Sequence, residues 1–237
     1  MSAGLVIAID GPSGVGKSTV ARAVAARLEL PYLETGAMYR ALGLAVLERK
    51  IDPDDRTAVE ALAADLDLDL ARRPDGSFEI RVHGEPVGTR IYGLRVTQVT
   101  SKISVYPGVR ERMRALQRAC AEDNGGVLEG RDIGTCVVPE TPFKFFLTAA
   151  SRVRAERRWR QLTAAGARDV ELAEVEREVR VRDERDSSRD DSPLRWDETY
   201  RVIDTGELSL AQVIDEIVSG VTARARATPA AEPRSPA

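Results

Sequence analysis

The feature that most constrains the fold is a glycine-rich segment near the start of the chain, residues 11–18, which fits the pattern G-x-x-x-x-G-K-[ST]. A continuous apolar run, residues 5–9, precedes it, and an amphipathic stretch, residues 17–28, follows it. Such glycines let backbone N–H groups turn inward around a phosphate, and the following helix directs its positive dipole end at the same anion. A chance match in a chain of this composition has a probability of roughly 0.3%. The segment therefore predicts a strand, a loop and a helix that bind a nucleoside triphosphate.

Two side chains of this loop carry the predicted chemistry. Lys17 brings a mobile positive charge to the β- and γ-phosphates, and the Ser18 hydroxyl is a candidate ligand for Mg²⁺. The residues predicted to bind the triphosphate are Gly11, Pro12, Ser13, Gly14, Val15, Gly16, Lys17, Ser18 and Thr19. A GTPase of the usual type needs an Asn-Lys-x-Asp guanine site, and the only asparagine, Asn124, precedes Gly125. Because 237 residues are also few for a helicase, a small-molecule kinase is favoured.

Short apolar runs alternate with amphipathic stretches along the chain. Strands are predicted at residues 5–9, 32–34, 126–129, 143–147 and 201–204, and helices at residues 17–28, 38–50, 152–162, 171–185 and 210–223. This alternation predicts an α/β fold, a three-layer sandwich around a five-stranded parallel sheet. Residues 64–96 break the pattern, because apolar and polar side chains alternate on both sides of a turn. They predict a small antiparallel β lobe inserted into a kinase domain of residues 1–223, and residues 224–237 predict a disordered tail.

Composition excludes several classes of protein. Lys and Arg number 35 and Asp and Glu 38, so a net charge of −3 disfavours nucleic-acid binding driven by overall positive charge. His83 is the only histidine, and Cys120 and Cys136 are the only cysteines, which excludes a zinc cluster and a Ser-His-Asp triad. No apolar run is long enough to span a membrane, and no secretory signal begins the chain. A cytoplasmic protein, expected to be a monomer, is predicted.

Three further motifs, together with the phosphate loop, resemble one family, the bacterial cytidylate kinases. They are YLETGAMYR at residues 32–40, EGRDIGT at residues 129–135 and RDERDSSR at residues 182–189. The resemblance covers residues 4–222, and the inserted β lobe lies where that family has one. It implies ATP as the phosphoryl donor, CMP or dCMP as the acceptor, and Mg²⁺. It also implies that the lobe binds the acceptor nucleotide.

The resemblance assigns the first two of these motifs to the acceptor. Thr35 and Arg40 would bind its phosphate, although a helix cap and a surface arginine are the structural alternative. Arg131 would reach the same phosphate, and Asp132 would accept from the exocyclic amino group of cytosine, which uracil lacks. An internal Arg–Asp ion pair stays open for these residues. Glu129, a carboxylate where some members of the family carry Asp, would lie near the magnesium waters.

Other acceptor contacts rest on the resemblance more heavily. Ser101 and Arg110 match positions that contact the base, and nothing local would have identified them. Arg182, Asp186 and Arg189 lie on one helical stripe. The resemblance implies that Arg182 and Asp186 hold the ribose hydroxyls and that Arg189 reaches the phosphates. The alternative is a solvated helix with internal salt bridges.

A basic cluster completes the predicted site. Residues 152–160 carry five arginines and one glutamate, a local net charge of +4. Arg154, Arg157 and Arg158 share a helix face, which predicts an anion site in a lid of residues 150–170. A triphosphate is the expected anion, and a nucleic-acid patch is the alternative. Arg157 is assigned to the donor, and the residues predicted to act on the transferred phosphoryl group are Lys17, Arg131, Arg154, Arg158 and Arg189.

Overall fold

The computed structural model describes residues 4–164, 166 and 170–227. Eight strands and eight helices follow one another along these residues. The strands are β1 Val6–Asp10, β2 Tyr32–Glu34, β3 Leu68–Arg72, β4 Phe78–Val82, β5 Glu85–Pro86, β6 Gly126–Gly130, β7 Lys144–Thr148 and β8 Arg201–Asp204. The helices are α1 Lys17–Leu28, α2 Thr35–Glu48, α3 Arg56–Asp65, α4 Leu94–Ile103, α5 Pro107–Asn124, α6 Ser151–Ala164, α7 Leu172–Ser188 and α8 Leu210–Ala227.

A five-stranded parallel sheet forms the centre of the fold, in the order β2-β6-β1-β7-β8. Side chains alternate between its two faces, so Ala8 and Leu128 pack with α2 and α5, whereas Ile7 and Val127 pack with α1 and α8. The predicted three-layer α/β sandwich is confirmed. The carboxyl ends of β1, β2 and β6 lie side by side, because Ile9 is in register with Glu129 and Glu129 with Glu34.

The antiparallel lobe is confirmed but is shorter than predicted. Strands β3, β4 and β5 form a separate sheet over residues 68–86, whereas residues 64–65 end helix α3 and a 3₁₀ turn, Gly88–Tyr92, leads into α4. The Asp55 side chain accepts a hydrogen bond from the Ala58 N–H, so α3 begins where a polar residue caps it. The turn between β3 and β4 also contacts β2, because the Tyr32 N–H donates to the Gly76 carbonyl.

Other boundaries differ from the prediction by a few residues. Helix α2 begins at Thr35, three residues before the predicted start, and α8 ends at Ala227, four residues after the predicted end. The first four residues of the predicted tail are therefore helical, and residues 228–237 lie outside the described residues. The predicted lid corresponds to α6 and the segment after it, of which residues 165 and 167–169 are also outside the described residues.

Candidate active site

A cavity of about 630 Å³ opens at the carboxyl ends of the parallel strands, where ligands bind in open α/β sheets. Most of the predicted site residues line it: Ser13, Gly14, Val15, Gly16, Lys17, Ser18, Thr19, Thr35, Arg40, Arg110, Arg131, Asp132, Arg157, Arg158, Arg182, Asp186 and Arg189. The predicted residues that do not line it are Gly11, Pro12, Ser101 and Arg154. The fold thus brings residues from α1, α2, α5, α6 and α7 to one volume.

The phosphate loop lies directly before helix α1. Gly16 precedes the helix with φ of 99°, a left-handed conformation that favours glycine. The Lys17 side chain is only 6% exposed, and its Nζ donates to the Pro12 carbonyl across the loop at 2.8 Å. Burial lowers the pKa of Lys17 to about 7, and the charge of Arg131 adds to this effect while Glu129 opposes it. Lys17 therefore lies among positive charges that a polyphosphate would neutralise.

Ser18 and Glu129 form an oxygen-rich pair on the wall of the cavity. The Ser18 hydroxyl donates to Oε1 of Glu129 at 2.8 Å, and Glu129 is buried at the end of β6. Magnesium usually binds one or two protein oxygens together with substrate phosphates and waters. The described residues contain no cluster of three or more His, Cys, Asp or Glu side chains that could hold a metal ion. Ser18 and Glu129 fit a magnesium ion that shares its ligands with a bound nucleotide, and this fit supports the predicted place of Glu129.

Thr35 and Arg40 lie at the start of α2, facing the cavity. The Thr35 hydroxyl donates to the Glu129 carbonyl at 2.7 Å, which joins α2 to β6. An Arg40 nitrogen donates to Oγ1 of Thr97 at 2.7 Å, and its guanidinium lies 5.7 Å from the centre of the Tyr92 ring. The segment after the β lobe thus holds Arg40 in place.

Positive charge concentrates around Arg131. Its Nε donates to Asp186 at 2.9 Å. Burial alone would raise the pKa of Asp186, but Arg131, Arg182 and Arg189 together hold that pKa below its ordinary value. Burial and the charge of Arg131 lower the pKa of Arg182 to about 10, and Arg40 also contributes. Four guanidinium groups lie near Asp186, with Asp132 beside Arg189 and Glu34 beside Arg40, and the surplus of positive charge suits an anionic ligand.

Arg110 and Asp132 form a buried ion pair in the wall of the site. An Arg110 nitrogen lies 2.6 Å from Oδ2 of Asp132, and both side chains are buried. The sequence left open an ion pair between Arg131 and Asp132, but the structure pairs Asp132 with Arg110 and Arg131 with Asp186. Arg110 and Asp132 both line the cavity. An Arg189 nitrogen lies 3.8 Å from Oδ1 of Asp132 and is buried, with no hydrogen-bond partner among the described residues. The site thus offers carboxylate acceptors and spare guanidinium donors side by side.

The three arginines of α6 that were predicted to share one face point to different partners instead. Arg158 lines the cavity, and Arg157 donates to the carbonyl of Thr205 at 2.7 Å and to its hydroxyl at 3.0 Å. Arg154 is only 5% exposed and bonds to the carbonyls of Ala149 and Ser13, at 2.9 and 3.1 Å.

Arg154 is also paired with a residue of α7. Its guanidinium lies 2.6 Å from Oδ2 of Asp183, the neighbour of Arg182. With its nitrogens already bonded, Arg154 supports the phosphate loop from outside the cavity. This geometry favours a positioning role over the predicted contact with the transferred phosphoryl group.

Ser101 is a further predicted contact that does not line the cavity. Its hydroxyl accepts a hydrogen bond from Arg185 at 2.7 Å. Thr100 and Ser104, from the same segment, line the cavity instead. The Ser104 carbonyl accepts from Arg110 at 3.2 Å, so this residue orients the buried arginine.

Comparison with known proteins identifies the family. The family model for cytidylate kinase matches residues 7–223. The chain belongs to the cytidylate kinase family. It is similar to the cytidylate kinase of Corynebacterium glutamicum, with 48% identity over 94% of this chain and 96% of the relative. The cytidylate kinase of Mycobacterium avium is 47% identical over 92% of this chain and 95% of the relative. The resemblance inferred from the motifs is confirmed.

A solved structure supports the fold alone. The crystal structure of an uncharacterized protein from Eubacterium ventriosum aligns with a TM-score of 0.51 at 15% identity, covering 93% of this chain and 99% of that one. Among the residues that the structure describes, no helix has the length and apolar character needed to cross a membrane.

Sequence analysis missed several residues that line the cavity of this cytidylate kinase family member. An apolar wall follows β8 and consists of Leu208, Leu210 and Val213. Thr205, directly after β8, donates to the Val15 carbonyl at 3.0 Å and so holds the phosphate loop. Its position at the carboxyl end of a predicted parallel strand was the signal available in the sequence. Leu208, Leu210 and Val213 carried no such signal, because apolar residues at helical spacing are typical of a hydrophobic core.

Proposed function

We propose that this protein transfers the γ-phosphoryl group of ATP to CMP or dCMP, giving ADP and CDP or dCDP. The observation that carries the proposal is the joining, in one cavity, of a phosphate loop and a buried Arg110–Asp132 pair. The phosphate loop suits a polyphosphate. The Arg110–Asp132 pair suits a base whose edge carries both a hydrogen-bond donor and hydrogen-bond acceptors. The family assignment supports the same reaction.

The donor is assigned to the side of the cavity formed by the phosphate loop. Backbone N–H groups of residues 11–18 and the start of α1 would hold the β-phosphate of ATP. Lys17 lies close enough to the loop to exchange its bond to Pro12 for phosphate oxygens. The apolar wall of Leu208, Leu210 and Val213 lies on this cavity too and suits the face of a base. Arg157 holds the phosphate loop beside β8, because it donates to the Val15 carbonyl and to the Thr205 hydroxyl.

The acceptor is assigned to the arginine-rich side. Arg40 and Arg131 would bind the phosphate of CMP, and Asp186 and Arg182 the ribose hydroxyls. Asp132 would accept a hydrogen bond from the cytosine amino group while Arg110 holds its second oxygen. Ser101, bonded to Arg185, would act on the base only through its neighbours. Thr35 and the N–H groups at the start of α2 would bind the same phosphate.

Transfer of a phosphoryl group needs positioning and positive charge more than covalent help. The phosphate of CMP is itself the nucleophile, so no general base is required. Lys17, Arg131, Arg158 and Arg189 line the cavity and would neutralise the charge that develops on the equatorial oxygens. Magnesium, when held by Ser18 and Glu129, would neutralise charge between the β- and γ-phosphates. The lid would exclude water, which could otherwise take the phosphoryl group.

A single assay tests this assignment. ADP release is measured with ATP and each of CMP, dCMP, UMP, AMP, GMP and TMP. We expect CMP and dCMP to give kcat/KM values well above those of the other nucleotides. Preference for a different nucleotide would keep the kinase chemistry but overturn the base assignment, and no transfer to any of them would overturn the function.

The role of Glu129 in magnesium binding is tested by Glu129→Gln. The amide keeps the size of the side chain but loses the negative charge, so we expect the Mg²⁺ concentration for half-maximal activity to rise about tenfold. Glu122→Gln is the matched control, since Glu122 is exposed on α5 and should leave the requirement unchanged. An unchanged Mg²⁺ requirement in Glu129→Gln would remove Glu129 from the metal site.

The remaining assignments concern the protein as a whole. Its substrates are small nucleotides, and the predictions of a monomer, of no nucleic-acid partner and of a cytoplasmic location stay predictions.

A further inference from the structure

Asp10 is a fully buried carboxylate that the proposed chemistry does not use. It is the last residue of β1, directly before the phosphate loop, and is 0% exposed. Its two oxygens accept hydrogen bonds from the Ile133 and Gly134 N–H groups, both at 2.9 Å. The Tyr200 hydroxyl donates to the second oxygen at 2.8 Å. A buried carboxylate is costly unless it is fully hydrogen-bonded, so this arrangement indicates a specific use.

The two N–H groups belong to the segment that carries the acceptor-binding residues. Ile133 and Gly134 begin a short π-helical turn, Ile133–Val137, directly after Arg131 and Asp132. N–H groups at the start of such a turn have no partner within it, and Asp10 supplies one to each. Asp10 therefore joins the end of β1 to the segment that positions Arg131 and Asp132.

The contact is close enough to restrict the residue at position 134. A Cβ atom on Gly134 would lie 2.5 Å from the Tyr200 hydroxyl oxygen, so only glycine fits between the turn and Tyr200. Tyr200 is itself buried, in a small apolar cluster with Phe146 and Leu194. Asp10, Gly134 and Tyr200 thus form a packed junction with little freedom to move.

The hydrogen bonds of the junction go to the acceptor side, while toward the donor side the charge of Asp10 opposes the lowering of the Lys17 pKa. Among the described residues, no hydrogen bond or ion pair joins the Asp10 carboxylate to residues 11–18. Burial raises the pKa of Asp10 to about 6, and the two N–H bonds oppose that rise, so the group is a carboxylate at neutral pH. It can then accept from all three donors at once.

We propose that Asp10 is a positioning residue for the acceptor nucleotide, an inference that rests on the proposed function. It holds the turn after β6 at the distance from β1 that places Arg131 on the acceptor phosphate and Asp132 on the base. Its loss should weaken the acceptor site while the phosphate loop keeps its backbone and its lysine.

Asp10→Asn tests the proposal, because the amide has the same shape but only one accepting oxygen. One of the two N–H groups would then face an NH₂ group, which also donates. We expect the KM for CMP to rise about tenfold, which is roughly the effect of losing one buried hydrogen bond, and kcat to fall. The KM for ATP should stay within about twofold of its wild-type value. Tyr200→Phe is the matched control, because it keeps both bonds to the turn and should change the KM for CMP less than threefold.

A second variant covers the case in which Asp10→Asn does not fold. Gly134→Ala pushes the turn away from Tyr200. It should likewise raise the KM for CMP and leave the KM for ATP nearly unchanged. Equal increases in both KM values, or a lower melting temperature with unchanged kinetics, would overturn the proposal. If the wild-type enzyme prefers another nucleotide, the same comparison is made with that acceptor. An error in the assigned base is then distinct from an error about Asp10.

Discussion

Lys17→Ala is expected to lower kcat by about 10²–10³-fold, the usual effect of removing one charged group that stabilises a transition state. The Lys17 ammonium lies on the phosphate loop, 2.8 Å from the Pro12 carbonyl, and contributes nothing to the apolar core around α1. The fold should therefore stay intact. Steady-state kinetics and a thermal melt of the same preparation measure the two effects separately.

Lys102→Ala is the matched control for this variant. Lys102 is exposed on α4, and its Nζ lies 2.8 Å from Asp54 in a surface ion pair. Such pairs contribute little to stability, so kcat and the melting temperature should both stay near their wild-type values. Near wild-type turnover in Lys17→Ala, with normal unfolding, would contradict the chemistry assigned to the phosphate loop.

The low pKa of Lys17 gives this variant a second measurable effect. At pH 8 a group with a pKa of about 7 is mostly deprotonated in the free protein. Phosphates beside it favour the charged form and raise its pKa, so binding ATP at pH 8 should take up a proton. Titration calorimetry in buffers of different ionisation enthalpy measures this uptake, and it should fall by about one proton in Lys17→Ala.

The sequence predicted those parts of the fold whose signal is local. Residues 5–28 combine an apolar run, a glycine loop and an amphipathic helix, and β1 and α1 lie where this pattern predicts them. Helices α3, α4 and α5 were not predicted, although Asp55 and Pro107 stand at helix starts. Leucine and aspartate alternate after residue 64, so a strand was predicted where the structure has the last turn of α3. These few residues fit the period of a strand and the period of a helix equally well.

The site was predicted less completely, because side-chain direction depends on contacts between distant residues. Arg154 and Arg158 lie one turn apart on α6, yet Arg154 bonds to Ser13, 141 positions away, while Arg158 faces the cavity. No helical spacing distinguishes them. Asp10 is a similar case, since its partners at positions 133, 134 and 200 come together only in the sheet.

On the proposed function, the choice between cytosine and uracil is assigned to one buried carboxylate, Asp132. Asp132 already accepts from Arg110 at 2.6 Å through one oxygen, and its other oxygen lies 3.8 Å from a nitrogen of Arg189. A carboxylate so placed can accept from the cytosine amino group and repels O4 of uracil. The same pairing means that removing the charge leaves Arg110 buried without its partner, which is destabilising in general. The test must therefore separate base choice from stability.

Asp132→Asn is expected to reduce kcat/KM for CMP far more than for UMP, because the amide can donate to O4 of uracil. A buried polar mismatch is worth about 1–3 kcal/mol, so the CMP:UMP ratio should fall by roughly one to two decades. Asp186→Asn is the matched control, since Asp186 is also a buried carboxylate paired with an arginine, Arg131, at 2.9 Å. It should lower both activities together, because both nucleotides carry the same ribose and phosphate. Assays are run below the melting temperature of each variant, so that unfolding does not enter the ratio. If Asp132→Asn lowers CMP and UMP equally, as Asp186→Asn should, then Asp132 serves to hold Arg110, and the arginine makes the choice of base.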